Sequence, residues 1–479
     1  MNAQRQHLHF LGIAGIGVSA LAQVALERGS IVSGTDPNAA PEANPAIARL
    51  AAGGATLYRE HRAENLSQDV TLVVASAAIA EDNPEIRAAH ARGIRVVSRA
   101  DFLGELMAAH PGPKIAVSGT HGKTTTTAMI GVLLQEAGLD PTVFVGAEVA
   151  QLGANVRVGA PQGPFVAEAC EAYDSFLSLR PEIVVLTNIE ADHLDHYGNF
   201  NQVVQSFRRF LGNVPEGGVL IGCTDDPVLE QLMGEDASSR EVLGYGIDSG
   251  EHPLRGMTPE GLTLAPTPVF HLMLEGARHE IRLRVPGRHN ALNALAAASV
   301  GVKLGLSGAQ IAAGLNAFCG AERRQEMLGE VIQADGSILV MDDYAHHPTE
   351  IRATLEALRN AYPERRLVAI FQPHLYSRTR DFLPDFAREL ARADALVVTE
   401  VYAAREAPIP GVRAADIVNL ASRQNPYIPA IFLPDRHDIP GMLAALVRPN
   451  DLAVFLGAGD IREQGETFLA QMQTQRRTS

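Results

Sequence analysis

A lysine and a run of threonines stand directly after a glycine-containing turn, in the stretch Ser-Gly-Thr-His-Gly-Lys-Thr-Thr-Thr-Thr at residues 118–127. A short apolar run at 115–117 predicts a buried strand before the turn, and residues 125–137 predict a helix that ends at Gly138. A strand, a glycine turn and a helix start present backbone N–H groups and the positive end of the helix dipole to an anion. In such a cradle Lys123 can neutralise a phosphate, and a threonine hydroxyl can ligate Mg²⁺.

The spacing of these two glycines differs from that of the general phosphate-binding loop, which has four residues between its glycines. Only Thr120 and His121 intervene here. A helix start preceded by a glycine turn, without any ligand, is therefore an alternative interpretation. Lysine followed by four threonines packs poorly as the first turn of a helix, and this favours the phosphate-binding interpretation. We expect Lys123 to lie exposed on the turn, where its charge serves a phosphate.

A second glycine-rich turn lies near the start of the chain, at Gly12, Gly15 and Gly17. A predicted strand at 9–13 precedes it, a predicted helix follows it, and Asp36 comes after the next predicted strand. This is a Rossmann-like β-α-β opening, which indicates a pyrophosphate or nucleotide ligand. The glycines do not have the usual dinucleotide spacing, so a tight turn with close helix–strand packing and no ligand remains an alternative.

Polar side chains also follow other predicted strands. Glu168 comes after a strand at 165–167, and Asp192 and His193 come soon after a strand at 183–186. Sheets of parallel strands place their binding sites at the carboxyl ends of the strands. In the last third of the chain, predicted strands that lead into polar or glycine-rich turns lie at 338–341, 367–371, 395–399 and 452–456.

The alternation of predicted strands and helices indicates the α/β fold class. With 479 residues, of which 46% are apolar and 20% charged, the chain is long enough for roughly two to four domains. Breaks near 110 and 321 divide it into segments at 1–110, 111–321 and 322–479.

Composition also limits the function and the location. A net charge of −15 argues against nucleic acid or an anionic membrane as a partner. No apolar stretch is long enough to span a membrane, and no secretory signal precedes the first predicted strand, so we expect no membrane insertion. Cys170, Cys223 and Cys319 are scattered without metal-ligand spacing, which suits a reducing cytoplasm.

Five motifs together resemble those of the Mur ligases, which build the peptide of the bacterial cell wall, and the resemblance covers essentially the whole chain. The motifs are Gly-Ile-Ala-Gly-Ile-Gly at 12–17, the lysine loop at 119–127, Asn-Ile-Glu-Ala-Asp-His at 188–193, Asp-Asp-Tyr-Ala-His-His-Pro at 342–348, and Phe-Gln-Pro-His-Leu-Tyr-Ser-Arg-Thr at 371–379. The resemblance implies three domains. They are a Rossmann-like domain for a UDP substrate at 1–110, a central P-loop-type ATPase domain at 111–321, and a C-terminal Rossmann-like domain at 322–479.

The resemblance also implies the activity. It points to an ATP-dependent ligase that joins L-alanine to the lactyl carboxylate of UDP-N-acetylmuramate through an acyl phosphate, in peptidoglycan precursor synthesis. ATP and Mg²⁺ are the implied cofactors, and UDP-N-acetylmuramate, L-alanine and ATP are the expected small-molecule partners. We expect a monomer or a homodimer.

The family's functional residues match positions of this sequence one by one. The implied catalytic residues are Lys123, Glu168 and His193, and the implied metal ligands are Thr124, Glu168 and His193. The implied ATP-binding residues are Gly119, Thr120, His121, Gly122, Lys123, Thr124, Thr125, His289, Asn290, Asn293, Arg324 and Asp343. The implied UDP-substrate residues are Gly12, Ala14, Gly15, Ile16, Gly17, Asp36 and Ser76, and the amino-acid side is assigned to His346 and Arg378.

At three positions the sequence departs from the pattern of many family members. Gln325 stands where the family often has phenylalanine, and Leu375 stands where some members have arginine. Ser206 occupies the position at which several relatives carry a carbamylated lysine. These departures bear on stacking at the nucleotide, on the amino-acid carboxylate and on the metal site.

Other functions are compatible with parts of the sequence. The N-terminal turn alone would suit a nicotinamide-dependent oxidoreductase, and the lysine loop would suit a nucleotide-binding regulator. Within the family, a recycling ligase that adds a ready-made tripeptide to UDP-N-acetylmuramate would share the first domain. The residues that discriminate these ligases lie in the last third, where the stretch from Gln372 to Arg378 favours L-alanine as the acceptor.

Overall fold

A computed structural model describes residues 5–248, 252–333, 335–404 and 406–478 of the chain. The chain forms two compact units, one made of Met1–Thr258 with Asn293–Ala317 and the other of Pro259–Leu292 with Phe318–Ser479. In the described part of the chain, no helix is long and apolar enough to cross a membrane.

The first unit begins with a parallel sheet of the kind that the N-terminal β-α-β pattern predicts. Its strand order is β3-β2-β1-β4-β5. Strand β1 ends two residues earlier than predicted, because Gly12 adopts a φ of +77° and turns the chain out of the sheet. The strands are β1 His7–Leu11, β2 Ile31–Thr35, β3 Thr56–Tyr58, β4 Val70–Ala75 and β5 Arg95–Ser98. The helices are α1 Ile16–Glu27, α2 Pro45–Ala52, α3 Pro84–Ala91 and α4 Arg99–Ala108.

A second, larger sheet follows in the same unit. The strands are β6 Lys114–Ser118, β7 Thr142–Val149, β8 Ala154–Arg157, β9 Phe165–Glu168, β10 Ile183–Leu186, β11 Val219–Cys223, β12 Glu241–Tyr245 and β13 Arg255–Met257. Their order is β13-β12-β11-β10-β6-β9-β7-β8, and only the β7–β8 pair is antiparallel. The helices are α5 Lys123–Glu136, α6 Leu194–Tyr197, α7 Phe200–Leu211 and α8 Pro227–Asp236.

Helix α5 is the element that places the lysine loop. It begins at Lys123, two residues earlier than predicted, because Gly122 takes a left-handed φ of +84° as the N-cap and frees the next residue to be helical. From Thr124 to Leu134 the helix is buried, and β6 beside it is buried from Ile115 onward. This packing fixes the start of the helix against the middle of the sheet.

The second unit contains a small antiparallel sheet and a larger mixed sheet. The small sheet consists of β14 Glu260–Thr263, β15 Val269–Leu274 and β16 Ala277–Arg282. Two helices follow in the chain, α9 Arg288–Lys303, which begins in this unit, and α10 Gly308–Ala317, which belongs to the first.

The larger sheet has the order β17-β18-β22-β19-β20-β21. Its strands are β17 Glu326–Gln333, β18 Gly336–Asp343, β19 Arg366–Phe371, β20 Ala395–Val398, β21 Ala430–Phe432 and β22 Asp451–Leu456. The helices are α11 Pro348–Ala361, α12 Tyr376–Asp381, α13 Leu383–Leu390, α14 Ala415–Gln424, α15 Ile439–Leu446 and α16 Arg462–Thr478. The four predicted strands are confirmed, while the edge strands β17 and β21 lack the fully buried pattern that made the others recognisable.

Candidate active site

The lysine loop is held against the segment that follows β10. The backbone N–H of Thr120 donates to the carbonyl of Asn188 at 3.0 Å, and that of His121 donates to the Asn188 side chain at 2.8 Å. Gly119 has a φ of +131°, and a Cβ there would lie 2.0 Å from the Thr187 hydroxyl. Only glycine fits this position. Because it has no side chain, the loop lies directly against the residues after β10, as a phosphate-binding loop requires.

The expectation that Lys123 is exposed is wrong. Its side chain is 13% exposed, and its Nζ lies 2.8 and 3.0 Å from the two carboxylate oxygens of Glu171. The Nζ also donates to the carbonyls of Gly119 at 2.6 Å and Thr120 at 2.8 Å. Burial by itself would lower the pKa of Lys123, but the negative charge of Glu171 outweighs it and raises the pKa above its ordinary value. The lysine is therefore charged and held in place before any ligand binds.

Glu171 is the principal site residue that the sequence interpretation missed. It is almost fully buried, and it lies in the stretch just beyond Glu168, at the end of β9. The Nε2 of His193 lies 3.8 Å from its carboxylate. An acidic residue three positions after the proposed metal ligand was visible in the sequence, but nothing in its spacing indicated that it would face a lysine 48 residues away.

Two of the proposed metal ligands meet at the start of α5. The Thr124 hydroxyl donates to Oε1 of Glu168 at 3.0 Å, and the backbone N–H of Gly146 donates to Oε2 at 2.7 Å. A hydroxyl and a carboxylate at this distance are hard oxygen donors, which suit Mg²⁺. Thr125, the next residue of the helix, is buried.

His193 lies beyond the end of β10 in a left-handed turn, with a φ of +52°. Its backbone N–H donates to Asp192 at 2.7 Å, and its Nε2 lies 3.9 Å from the same carboxylate. The ring therefore lies near two carboxylates, those of Asp192 and Glu171. Ser206, at the position discussed above, is buried in α7 and donates to Asp174.

The N-terminal turn brings the residues assigned to the UDP substrate together. A Cβ on Gly12 would lie 2.9 Å from the Cβ of Ser76, and the backbone N–H of Ala14 donates to Asp36 at 3.2 Å. The Gly15 N–H donates to the Gly12 carbonyl, and Ile16 is half exposed at the start of α1. These turns follow β1, β2 and β4, which are parallel neighbours in the sheet, so they lie at the same edge of it.

Arg99 was not identified from the sequence as part of this edge. A Cβ on Gly17 would lie 3.1 Å from the Cδ of Arg99 and 3.2 Å from its Nη1. The missing side chain at Gly17 therefore gives the guanidinium room beside the turn. Arginine there supplies the positive charge that a diphosphate would need, since the turn itself offers only backbone dipoles.

The residues assigned to the adenine side lie in α9. His289 and Asn290 belong to its first turn, so Asn290 is not the helix N-cap. Burial, reinforced by Arg324, lowers the pKa of His289 to about 4, so the ring is neutral at neutral pH. One turn later, Asn293 accepts a hydrogen bond from Thr126 at 3.1 Å and lies beside Gly122.

Arg324 and Asp343 lie close to each other in the second unit. Burial raises the pKa of Asp343 to about 6, against the opposing effect of Arg324. The backbone N–H groups of Gln325 and Ala345 both donate to the Asp343 carboxylate at 2.8 Å. The Arg324 guanidinium lies 5.0 Å from the ring centre of Tyr344, so an aromatic partner is present although Gln325 replaces the family's phenylalanine.

The two residues assigned to the amino acid are linked through a third. Arg378 in α12 is 6% exposed, and its Nη1 lies 3.2 Å from Nδ1 of His374. The His374 ring contacts the His346 ring at 5.8 Å between centroids. His374 stands in the motif that was noted in the sequence but was not among the predicted site residues.

Three family models match the chain in sequence order. The "Mur ligase family, catalytic domain" matches residues 7–111, the "Mur ligase middle domain" matches 117–301, and the "Mur ligase, glutamate ligase domain" matches 323–459. Together they cover most of the chain.

Curated relatives match over nearly the whole length. The chain is 42% identical to the UDP-N-acetylmuramate–L-alanine ligase of Salinibacter ruber, covering 97% of this chain and 94% of the relative. It is 42% identical to the enzyme of the same name from Solidesulfovibrio magneticus, with coverage of 98% and 99%.

Solved structures give the same picture. The UDP-N-acetylmuramate-alanine ligase of Thermotoga maritima superposes with a TM-score of 0.79 at 29% identity, over 98% of this chain and all of that one. A murein peptide ligase from Psychrobacter arcticus superposes with a TM-score of 0.68 at 26% identity, covering 98% of both chains.

Proposed function

This chain belongs to the Mur ligase family, and from that premise we propose that it joins L-alanine to the lactyl carboxylate of UDP-N-acetylmuramate at the expense of ATP. The family membership inferred from the motifs is confirmed. The reaction belongs to peptidoglycan precursor synthesis, which we place in the cytoplasm. The boundaries at 110 and 321 and the roles of the individual site residues remain predictions.

The observation that carries the proposal is the cluster at the start of α5. A charged lysine, a threonine hydroxyl, two carboxylates and an imidazole meet there. They lie beside a glycine loop that has no room for a side chain at Gly119. A nicotinamide-dependent oxidoreductase would need none of these groups. A regulator that only binds a nucleotide would not need Glu168 and His193 as well as the loop.

The proposed reaction has two steps. The carboxylate oxygen of UDP-N-acetylmuramate attacks the γ-phosphorus of ATP, which breaks the bond to the β-phosphate oxygen and gives an acyl phosphate and ADP. The amine of L-alanine then attacks the acyl carbon, phosphate leaves with the electron pair of the C–O bond, and the amine loses a proton. The protein's contribution is to position the reactants and to neutralise charge.

In this scheme Lys123 changes its partner. Without a nucleotide it pairs with Glu171, and with a nucleotide its ammonium group moves to a phosphate oxygen. The short distance from Nζ to the loop carbonyls keeps the group within the loop during this exchange. Glu171 thus holds the lysine charged and oriented until the stronger anion arrives.

The residues present fit a bound Mg²⁺. Thr124 and Glu168 would hold the ion, with His193 as a further ligand on the side of Glu171. Bound Mg²⁺ would neutralise charge between the phosphates and the substrate carboxylate. The Gly146 N–H orients the Glu168 carboxylate toward Thr124.

The acceptor is assigned to Arg378 and His346, which are linked through His374. A guanidinium can bind the carboxylate of a free amino acid with two hydrogen bonds and so fix the nearby amine. The tripeptide-adding ligase is the second candidate, and the Psychrobacter murein peptide ligase shares the fold. The alanine enzyme is favoured because the relatives with 42% identity bear that name.

The test is phosphate release from ATP and Mg²⁺ with each substrate omitted in turn. We expect release to require both UDP-N-acetylmuramate and L-alanine, and to be slower by far when tripeptide replaces alanine. Release that is faster with tripeptide than with alanine would identify the recycling enzyme instead. Release that is independent of both would exclude a ligase.

A pair of arginine variants tests the acceptor pocket. Arg378→Lys keeps the charge but loses the forked geometry, so the KM for L-alanine should rise by an amount equivalent to about 1–3 kcal/mol. Arg380→Lys is the matched control, because Arg380 lies in the same helix but is exposed and pairs with Asp381. An unchanged KM in Arg378→Lys would contradict the assignment.

A further inference from the structure

A cavity of about 540 Å³ lies at the carboxyl ends of β19, β20, β21 and β22 in the second unit. It is lined by Gln372, Thr399, Tyr402, Asp435, Arg436 and Asp460, among others. None of these residues was assigned a role from the sequence. The volume exceeds by far what the single methyl group of alanine could fill.

The cavity has unused hydrogen-bonding capacity. Gln372 is 4% exposed, its Nε2 donates to Asp460 at 2.8 Å, and its Oε1 is buried with no hydrogen-bond partner among the described residues. Arg436 pairs with the other oxygen of Asp460 at 3.0 Å. Because this oxygen is itself buried, the groups that a ligand in the cavity can reach are the partly exposed side chains of Asp460 and Arg436.

The charge of the lining indicates the kind of ligand. Glu400, Asp435 and Asp460 contribute three carboxylates, and Arg436 contributes one cation. A chain ending in an ammonium group therefore suits this cavity better than one ending in a carboxylate.

Two rings, those of Tyr402 and His374, lie between the cavity and Arg378. Tyr402 lines the cavity, and its ring stacks on the ring of His374 at 5.8 Å with an interplanar angle of 16°. His374 in turn lies 3.2 Å from Arg378. The order from one side to the other is thus cavity, Tyr402, His374, Arg378.

The position of the Tyr402 ring is fixed by its neighbours. The Tyr402 N–H donates to the Pro373 carbonyl at 2.8 Å, and the Tyr402 carbonyl accepts from Leu375 N–H at 3.0 Å. A Cβ on Gly459 would lie 2.7 Å from the tyrosine Cγ, so the ring rests directly on that backbone. A ring held on both sides acts as a wall and not as a mobile side chain.

We propose that Tyr402 sets the length of the acceptor by holding the His374 ring between Arg378 and this acidic cavity. Removal of the Tyr402 ring would leave the His374 ring free to turn into the vacated space, and a straight-chain amino acid with a terminal ammonium group could then extend from Arg378 into the cavity. The proposal rests on the proposed function, because it takes Arg378 as the site of the acceptor carboxylate.

The experiment measures kcat/KM for three acceptors in Tyr402→Ala and in the wild type. The probes are L-alanine, L-ornithine and L-norleucine, the last being similar in shape to ornithine without its charge. We expect Tyr402→Ala to raise the ornithine-to-alanine ratio at least about 10-fold and to prefer ornithine over norleucine. Adding Asp460→Asn should remove that preference for the charged chain.

Two controls distinguish a ring that limits the length of the acceptor from a ring that only stabilises the fold. Tyr402→Phe retains the ring and should keep the wild-type ratio of the three acceptors. Tyr427→Ala removes a tyrosine that is 94% exposed in the same unit and should change nothing. An unchanged ratio in a Tyr402→Ala protein with the wild-type melting temperature would overturn the proposal. If Tyr402→Ala does not fold, Tyr402→Leu is measured in its place. An unchanged ornithine-to-alanine ratio in that variant would also overturn the proposal.

A binding measurement separates this proposal from the proposed function. Saturation-transfer NMR should detect L-ornithine bound to Tyr402→Ala and little bound to the wild type. If the wild type fails to use L-alanine, the proposed function falls, but a gain of ornithine binding by the variant still supports the wall. If the wild type uses L-alanine and the variant gains neither binding nor turnover of ornithine, the proposed role of Tyr402 is wrong, while the proposed ligase activity is still supported.

Discussion

The first unit contains two buried clusters of charged groups that differ in their surroundings. One lies under the N-terminal sheet, where Glu85 is fully buried and accepts hydrogen bonds from Thr35 at 2.5 Å and Asn65 at 2.9 Å. The rings of His9 and His61 lie 3.2 and 2.5 Å from the same carboxylate. The other cluster is Lys123 with Glu171 and His193, at the start of α5.

The two clusters differ in whether a ligand could take the place of one of the interacting side chains. Around Glu85 both carboxylate oxygens are occupied by groups of the chain, and His9 is as completely buried as the carboxylate. Lys123 and His193 are 13% and 24% exposed, and His61 beside Glu85 is 22% exposed, but Lys123 and His193 also lie beside a loop of backbone N–H groups at the end of a sheet. A closed cluster can only stabilise or specify the fold, whereas an open one can exchange a partner for a ligand.

The largest effect is expected when the open cluster loses its cation. Lys123→Met combined with Glu171→Gln should lower ligase turnover about 10³-fold or more, because the phosphate charge is no longer neutralised. The double variant is preferable to Lys123→Met alone, which would leave Glu171 buried without a partner. Turnover by coupled phosphate assay and folding by circular dichroism are the measurements.

Lys114→Met provides the matched control for that experiment. Lys114 begins β6, the strand that leads into the lysine loop, and it pairs with Glu182 at 2.7 Å. It is a lysine–glutamate pair of similar geometry at the opposite end of the strand. Comparable loss of turnover in the two variants would contradict the distinction between an open site and a structural pair.

The next effect concerns the closed cluster and appears in stability. Glu85→Ala removes the acceptor of Thr35, Asn65 and two histidines, and should destabilise the N-terminal sheet by about 3–5 kcal/mol. Hydrogen exchange of the β1 and β2 amides reports on this sheet separately from the rest of the chain. Glu105→Gln, which breaks the exposed pair with Arg95 in the same region, should leave that exchange unchanged.

A smaller effect distinguishes the clusters by their pH dependence. Burial would raise the pKa of Glu85, but hydrogen bonds from His9, Thr35 and the other neighbours outweigh it and lower the pKa below its ordinary value of 4.5. The stability from Glu85 is therefore fully present above about pH 4.5 and is lost as the pH falls through the lowered pKa. The stability difference between wild type and Glu85→Gln should shrink in acid.

The open cluster should respond at the other end of the pH scale. The pKa of Lys123 is raised, so its pairing with Glu171 contributes fully below the ordinary lysine pKa of 10.5 and is lost only as the pH rises through the raised value. Urea unfolding of the wild type and of the two glutamine variants between about pH 3 and about pH 10 checks both trends. A Glu171→Gln effect that was already lost between about pH 7 and about pH 10, below the ordinary lysine pKa, would contradict the pairing.

Much of the fold could be predicted from the sequence, because buried parallel strands appear as apolar runs that end in glycine or polar residues. β6, β10 and β19 are examples. The short edge strands β13 and β21 could not be recognised, since a strand with one neighbour is less buried and its pattern is weak. The predicted strand ends differ from the observed ones where a glycine turns the chain out of the sheet, as at Gly12.

For the site, residues near a glycine turn could be found because their chemistry is local in sequence. Lys123 and Thr124 belong to this group. Glu171, Arg99 and His374 could not be found, because their importance arises from contacts with residues distant in the chain. The burial of Lys123 was missed for the same reason, since Glu171, which pairs with it, lies 48 residues further along the chain.

The exchange of Lys123 from Glu171 to a phosphate should be visible in the affinity for ATP. Isothermal titration of ATP with Mg²⁺ is compared for the wild type, Glu171→Gln and Glu85→Gln. If Glu171 competes with phosphate for the lysine, Glu171→Gln should bind ATP about 10-fold more tightly, while Glu85→Gln should match the wild type. Weaker or unchanged binding in Glu171→Gln, or an equal change in Glu85→Gln, would contradict the exchange.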